Sequence, residues 1–291
     1  MAMKTRIPLF LLTALGAALA AASSPAAQDQ PDKGKGPTSK IYLAETSGET
    51  RIINHDKLYT PRQATAFDAP GTIIETKADS HDAFVYSNGT GMFVDQNSRV
   101  EIGLFTQEPF RGAGDTKAGA AGEPSVSQSN VTVVRGSVSV CSSQLRPGST
   151  MTYTTPQAVI VIRSGRVAIE TGNGKTTVDL LDGDATVRSV GQQSGGQTLR
   201  TGDRAVILGA PDGQAAAVAL SQTPMELQAG LDHNATIACN AKKTVAFKVI
   251  EQKDQDSEAA GAGQEIVVQP TVPANLPTNI TISADRLPGG T

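Results

Sequence analysis

The sequence predicts an all-β protein. Glycine and proline are abundant, with 29 and 16 residues among 291, whereas tryptophan is absent and aromatic residues make up 4%. Such a chain turns often and buries valine and isoleucine instead of rings, which favours many short strands. Four segments also carry alternating apolar residues on both sides of one glycine, at Gly136, Gly165, Gly183 and Gly202.

These four glycines are 29, 18 and 19 positions apart, and the two similar intervals indicate a repeated unit. Each unit is predicted to be two short strands that meet at a bend, because glycine accepts positive φ. One unit cannot bury its apolar face alone, so the units must stack or pair. Two geometries fit. One is a β-roll or solenoid with glycine corners, and the other is an antiparallel β-sandwich with hairpin turns at Asn173-Gly174 and Asp182-Gly183.

Residues 1–22 are predicted to be a secretory signal peptide. Lys4 and Arg6 precede an apolar run that ends in small residues before Ser23-Ser24-Pro25. Residues 23–39 are polar and predict a flexible linker. No later stretch is long and apolar enough to span a membrane, so the mature chain is expected in the periplasm or outside the cell.

The remaining segments are assigned in chain order. Residues 40–82 carry short apolar pairs and predict a lead-in β segment, and 83–250 predict the main β domain. Residues 106–129 are rich in Gly, Ala and charge, which indicates an insertion loop that could bind a partner. A short helix is predicted near 224–231, with strands at 236–239 and 244–250. Residues 251–291 are polar and rich in proline, and predict a flexible tail.

Cys141 and Cys239 are the only cysteines. In an exported protein such a pair predicts one disulfide, which closes a loop of 98 positions. Strand alternation places Val138 and Val140 on one face and Cys141 on the other. If the valines face the core, Cys141 faces outward and can attach a later segment to the sheet.

The central segments resemble the FecR domain, over about Ser87 to Ile207. The resemblance is carried by the Asn97-Ser98-Arg99-Val100 step, by the segments around Gly136, Gly183 and Gly202, and by the strand that follows Thr155-Pro156 and ends at Arg163. The family usually has Arg-Gly-Thr after that strand, whereas this chain has Arg163-Ser164-Gly165.

The resemblance implies a bacterial envelope protein. The best-known members of the family relay an iron-transport signal from the outer membrane to a sigma factor. Those members have a cytoplasmic helical segment, one membrane span and a C-terminal signalling module. In this chain a signal peptide is expected in place of the cytoplasmic segment, no span is expected in the mature part, and the C-terminus is rich in proline. We therefore expect a binding or structural module for a protein or an envelope polysaccharide, with periplasmic signalling as the alternative and a hydrolase as a third, weaker hypothesis.

Chemistry-bearing motifs are scarce. The net charge of −3 gives no basic footprint for nucleic acid. His55, His81 and His233 are scattered, and Asp179, Asp182 and Asp184 do not have calcium-loop spacing. Ser194-Gly195 resembles the nucleophile loop of a serine protease, but a turn between two strands explains these residues better. The sequence therefore predicts no catalytic residue, no metal and no cofactor.

Overall fold

A computed structural model describes residues 39–108 except 62 and 64, and also 122–209, 215–251 and 266–271. The predicted signal peptide and all but one residue of the predicted linker lie outside these ranges. The described residues form seventeen strands and one helix. They are β1 (Lys40–Ser47), β2 (Thr50–Asn54), β3 (Lys57–Tyr59), β4 (Thr65–Asp68), β5 (Thr72–Thr76), β6 (His81–Tyr86), β7 (Gly91–Val94), β8 (Arg99–Gln107), β9 (Ser127–Ser142), β10 (Thr150–Thr154), β11 (Ala158–Gly172), β12 (Lys175–Ser189), β13 (Gln197–Leu199), β14 (Asp203–Leu208), β15 (Val218–Gln222), α1 (Met225–Lys243), β16 (Ala246–Glu251) and β17 (Ile266–Thr271).

The all-β prediction is confirmed. Fifteen strands belong to one hydrogen-bonded sheet, and β16 and β17 form a separate antiparallel pair. All pairings between the named strands of the large sheet are antiparallel except the one between β9 and β10. The pairing therefore favours the antiparallel sandwich over the solenoid.

Three long strands fold the sheet over on itself. The first half of β9 pairs with β8 and β10, and its second half pairs with β7 and β11. β11 and β12 change partners in the same way along their length. One layer thus runs β4-β1-β6-β7-β9-β11-β12-β14-β15 and the other runs β3-β2-β5-β8-β9-β10-β11-β12-β13. We call them the first and the second layer.

One apolar core fills the space between the layers. Tyr153 of the second layer donates a hydrogen bond to the sulfur of Met92 in the first, at 3.7 Å. The rings of Tyr86 and Phe105 also meet across the layers, with centroids 5.1 Å apart. The two layers therefore share a single core, as expected for a sandwich.

The core-facing side of each long strand changes at its glycine. In β11, Ile160 and Ile162 face the core before Gly165, whereas Val167 and Ile169 face it afterwards. The change needs a shift in strand register, and the β11–β12 pairing is irregular on both sides of Gly165. Both halves of the strand can then cover the same core. Within 159–162 one face is fully buried and the other only partly, because Val159 and Val161 keep some exposure to solvent.

Gly165 and Gly183 lie directly opposite each other at this bend. Both have positive φ, of 96° and 99°, and a Cβ atom on either would overlap the backbone of the other strand. Only glycine fits this approach without strain. Gly183 therefore lies within β12, and the predicted Asp182-Gly183 hairpin turn is wrong. Asn173-Gly174 does form the β11–β12 turn, with positive φ at both residues, as a type I′ turn requires.

Thr155 and Pro156 form the turn between β10 and β11. The Thr155 hydroxyl accepts a hydrogen bond from the Ala158 N–H at 2.9 Å and lies 2.7 Å from the Thr176 hydroxyl. Gln157 in the same turn accepts hydrogen bonds from Thr171 and Thr176, on the other layer. This polar cluster joins the layers at one end of the sandwich.

Helix α1 packs on the outer face of the first layer and is much longer than the predicted 224–231 helix. The strand predicted at 236–239 is wrong, because these residues belong to α1. The β-branched Thr236 and Ile237 favoured a strand, but alanines at 235, 238 and 241 form a narrow buried face at helical spacing. These alanines meet the apolar side chains of β1, β6 and β7.

The segments around the main domain also join this architecture. In the lead-in segment, β1 pairs with β6 and β5 pairs with β8, so 40–82 supplies strands to both layers. β8 extends to Gln107 and β9 begins at Ser127, which shortens the predicted 106–129 loop, and 109–121 lie outside the described residues. β16 agrees with the strand predicted at 244–250. β17 shows that part of the predicted flexible tail is a strand, and 252–265 and 272–291 lie outside the described residues.

Substituting Gly91 tests how closely the helix approaches the sheet. A Cβ atom at Gly91 would overlap the carbonyl oxygen of Ala238, whereas one at Gly103 would meet its nearest atom at 3.7 Å. Gly91→Ala should therefore reduce the free energy of unfolding by about 1–3 kcal/mol, the usual effect of overpacking. Gly103→Ala, also within a strand, should stay within about 0.5 kcal/mol of the parent. Urea unfolding measures both, and equal effects would contradict the described packing.

Asp82 gives the fold a defined pH dependence. It is fully buried on the core-facing side of β6, and this burial raises its pKa to about 6 against the weaker effects of Thr46, Thr50 and His81. The folded state thus holds the proton more tightly than the unfolded state, so the parent loses stability as pH rises from about 4 to about 6. Asp82→Asn cannot titrate and so does not show this loss. The free energy of unfolding of Asp82→Asn minus that of the parent should therefore be about 2–3 kcal/mol larger at pH 8 than at pH 4.

The exposed Asp56, in the turn between β2 and β3, supplies the control. Urea unfolding of the parent, Asp82→Asn and Asp56→Asn at several pH values gives the comparison. Asp56→Asn should follow the parent across the range. A constant difference between Asp82→Asn and the parent would show that Asp82 does not titrate differently in the folded state.

Candidate binding site at the open edge of the sheet

The residues of the family motif stabilise bends and do not form one pocket. Gly136 and Gly183 lie at bends within β9 and β12, and Gly202 lies at the bend before β14, all with positive φ. Arg163 is exposed beside Gly165 and pairs with Asp184 at 3.3 Å. Thr155 and Pro156 lie at the opposite end of that half of β11. These positions therefore explain the fold more directly than a binding activity.

The three aspartates that could have held a cation each have a guanidinium partner. Arg204 binds Asp179 through two nitrogens, at 2.7 and 2.8 Å. Arg166 binds Asp182 at 2.6 Å, and Arg163 binds Asp184. Within the described ranges, no group of three or more His, Cys, Asp or Glu side chains is arranged to hold a metal ion.

The three histidines have separate surroundings. The Nδ1 atom of His55 lies 2.6 Å from the Asn54 side chain, at the turn between β2 and β3. His81 begins β6, where Nε2 lies 3.3 Å from Glu45 and the ring contacts Phe93. His233 lies on the exposed side of α1. The structure thus places them on three different elements.

The edges of the two layers differ in how well they can pair with another strand. Among the described residues, four strands end the layers: β3 and β13 in the second, β4 and β15 in the first. β3 and β4 carry Lys57 and Asp68, and β13 has only three residues. β15 has five residues, none of them charged, and four of the five are exposed. Charged or very short edge strands discourage further pairing, so β15 is the edge most open to an added strand.

Exposed apolar side chains accompany this edge. Leu220 in β15 is 46% exposed, and Met225 and Leu227 in the first turn of α1 are 82% and 41% exposed. The whole first part of the helix, from 225 to 230, is exposed, because α1 packs mainly on β6, β7 and β9. We call these three exposed apolar side chains the apolar rim; they accompany the edge of β15 that has no strand partner among the described residues.

A groove of about 380 Å³ lies where β15 leads into α1. Thr223, which follows β15, donates its backbone N–H to the Gly202 carbonyl at 2.9 Å, and both residues line the groove. The other lining residues come from the β11–β12 bend, from the loop before β14 and from the helix: Arg166, Leu181, Thr201, Gln228, Ala229 and Asp232. The lining offers hydroxyl, amide and carboxylate groups for hydrogen bonding, and it contains no aromatic ring.

Arg166 connects the bend to the helix across this groove. It binds Asp182 at 2.6 Å and Asp232 at 2.5 Å. The hydrogen bond with Asp182 is the main cause that raises the pKa of Arg166, and the bond with Asp232 adds to it. Asp179 likewise raises the pKa of Arg204 by hydrogen bonding, and it also accepts a hydrogen bond from the Thr223 hydroxyl at 2.8 Å. One ion pair, between Arg166 and Asp232, therefore joins the sheet to the helix, and the other two lie within the sheet.

The disulfide holds the helix that forms one wall. Cys141 and Cys239 are bonded, as predicted, and Cys141 faces away from the core toward α1. Gly91 is the cross-strand neighbour of Cys141, which leaves room for the helix backbone at Ala238. The fully buried side chains that the helix contributes are alanines, which bury little apolar area each. We therefore expect the disulfide to supply much of the helix attachment.

The sequence analysis proposed the 106–129 loop as a binding element and did not find the edge at β15. A signal for this edge is the uncharged run Val218–Gln222, just before Pro224. The neighbouring groove could not be predicted, because it joins residues 166, 202 and 232 through tertiary packing.

Comparisons with known proteins add little to this site. No family model matches the chain, and no curated protein matches it. Two crystal structures of a candidate anti-sigma factor from Parabacteroides distasonis ATCC 8503 are similar, with 10% and 9% identity and TM-scores of 0.37 and 0.36. Each match covers 53% of this chain and 61% of the length of that protein. We draw no functional conclusion from a likeness of this size.

Removing the disulfide should loosen α1 and weaken the fold. The chain-entropy relation gives about 4–5 kcal/mol for a loop of this length. Cys141→Ala/Cys239→Ala should therefore lower the urea midpoint strongly, and reductant should lower the midpoint of the parent but leave that of the double variant unchanged. Intact mass after alkylation should show both thiols blocked. Two free thiols in protein from its native compartment would contradict the bond.

Proposed function

We propose that this chain is an exported, non-enzymatic envelope protein whose FecR-like β domain binds a protein partner at β15. The observation that carries the proposal is the open, uncharged edge of a large sheet, next to exposed apolar side chains and a polar groove. Main-chain groups on such an edge can bind an extended segment as an added strand, while neighbouring pockets receive its side chains.

The chemistry of the edge favours a protein over an envelope polysaccharide. An added strand satisfies backbone donors and acceptors in a regular row, which a sugar chain cannot match. The groove lining provides no aromatic ring on which a sugar could stack. A protein strand can therefore form more hydrogen bonds with the backbone groups of this edge than a sugar chain can.

A binding role also suits the arrangement of the charged groups. The carboxylates of Asp179, Asp182 and Asp232 are each held by an arginine, which favours a fixed surface over proton transfer. The disulfide supports an oxidising compartment. Among the described residues, no helix is long and apolar enough to span a membrane. An envelope signalling role remains compatible with the same edge, and there the partner would be a transporter or a regulator.

A photo-cross-linking residue at Leu220 identifies the partner in the native host. Leu58 provides the matched control, because it is 67% exposed and lies on the edge strand β3 of the other layer. The partner should cross-link at position 220 and not at position 58. Equal cross-linking at both positions would contradict a site at β15.

Binding of the purified partner then tests the edge directly. Leu220→Lys places a charge on the edge, which should weaken binding at least tenfold, equivalent to about 1.4 kcal/mol. Leu58→Lys should leave the affinity unchanged, and both variants should unfold at the parent urea concentration. Unchanged affinity of Leu220→Lys would overturn the proposed binding mode.

A further inference from the structure

The uncharged edge of β15 has an acidic surround. Asp203 lies opposite Gln222 at the end of β15 and accepts a hydrogen bond from its amide at 2.9 Å. Glu170 and Glu226 are close enough to Arg204 to raise its pKa. Together with Asp232, which lines the groove, and with Asp179 and Asp182 on β12, six acidic groups surround this edge. They outnumber the four cations on the neighbouring strands and loop, which are Arg166, Lys175, Arg200 and Arg204.

The ion pairs leave part of this negative charge uncompensated. Arg204 balances Asp179, but the single charge of Arg166 is shared by Asp182 and Asp232. Asp203 is bonded to an amide and to the backbone N–H of Arg200. Asp182 and Asp232 are also about half exposed. Asp232 lines the groove, so a ligand there can reach its carboxylate.

This charge argues against a second copy of the chain as the occupant. A two-fold contact would place the same patch of both copies face to face. Pairing two β15 strands would bring two surfaces of net negative charge near each other, and this repulsion opposes the contact at low salt. The acidic groups around β15 attract an occupant with positive charge, whereas they repel a second copy of the chain.

We infer that β15 receives an extended, basic segment of another protein, which lies along the edge and places a lysine or arginine in the groove near Asp232. This inference rests on the proposed function and adds the chemistry of the partner. Small or apolar residues of the segment match the uncharged strand and its apolar rim. Its terminal cation can donate hydrogen bonds to the Asp232 carboxylate and to the hydroxyl oxygens of Thr201 and Thr223, which line the groove.

Three labelled peptides test the inference with the mature, disulfide-bonded chain. Their sequences are KTVTVTVTK, QTVTVTVTQ and ETVTVTVTE, so that they differ only in the charge at both ends. Fluorescence anisotropy should show the lysine peptide binding at least tenfold more tightly than the glutamine peptide, with the glutamate peptide weakest. This preference should shrink at high salt, because exposed charges are screened.

Variants assign the preference to the acidic surround. Glu226→Gln and Asp232→Asn should each weaken the lysine peptide severalfold and leave the glutamine peptide unchanged. Asp56→Asn, an equal change of charge at an exposed turn remote in sequence, should change neither. Leu220→Lys should remove binding of both peptides, because it blocks the edge itself.

The outcomes separate this inference from the proposed function. Equal binding of the lysine and glutamine peptides, lost in Leu220→Lys, would overturn the basic partner and keep the edge. Lysine-peptide binding that Leu220→Lys leaves unchanged would overturn the edge as well. Absence of binding by all three peptides overturns the inference. A dimer that Leu220→Lys converts to a monomer would identify a second copy as the occupant.

Discussion

The close approach of Gly165 and Gly183 is the contact on which the architecture depends. Two neighbouring strands bend at the same place, and neither bend leaves room for a side chain. Gly136 makes the equivalent bend in β9, where a Cβ atom would overlap Ser98, whose hydroxyl accepts a hydrogen bond from the Ser137 N–H. The β9 bend lies at another level of the sheet, because Gly136 pairs with Thr171 whereas Gly165 pairs with Ser142. Since each of the three long strands bends along its length, one sheet becomes two layers around a single core.

The proposed site depends on this bend through two further features, the outer face of the first layer and the helix attached to it. Bending turns the outer face of the first layer into a platform, and the outward-facing Cys141 fixes α1 on it. The helix begins beside the β11–β12 bend, so Arg166 can bind both Asp182 and Asp232. The groove therefore lies at the end of β15 because the glycine bend, the ion pairs and the helix meet there.

Local patterns predicted the parts of the fold that depend on neighbouring residues. Alternation around the glycines predicted strands and bends, and the same alternation placed Cys141 on the outer face. The same local pattern fits a glycine in a turn between two strands and a glycine at a bend within one strand. Asp182-Gly183 was therefore wrongly predicted to be a turn. The length of α1 was missed because its buried face is alanine, which carries a weak hydrophobic signal. The open edge at β15 depends on which strands pair with each other. Strand pairing joins residues distant in sequence, so a local pattern cannot predict it.

Amide hydrogen exchange tests most directly whether a partner adds a strand to β15. Exchange is measured on the disulfide-bonded protein alone and with the purified partner that cross-linking identifies. We expect slower exchange in 218–222, where amides of the open edge gain hydrogen bonds, with smaller changes at 201–203 around the groove. Slower exchange confined to 122–135 or to the outer face of the second layer, with 218–222 unchanged, would contradict it.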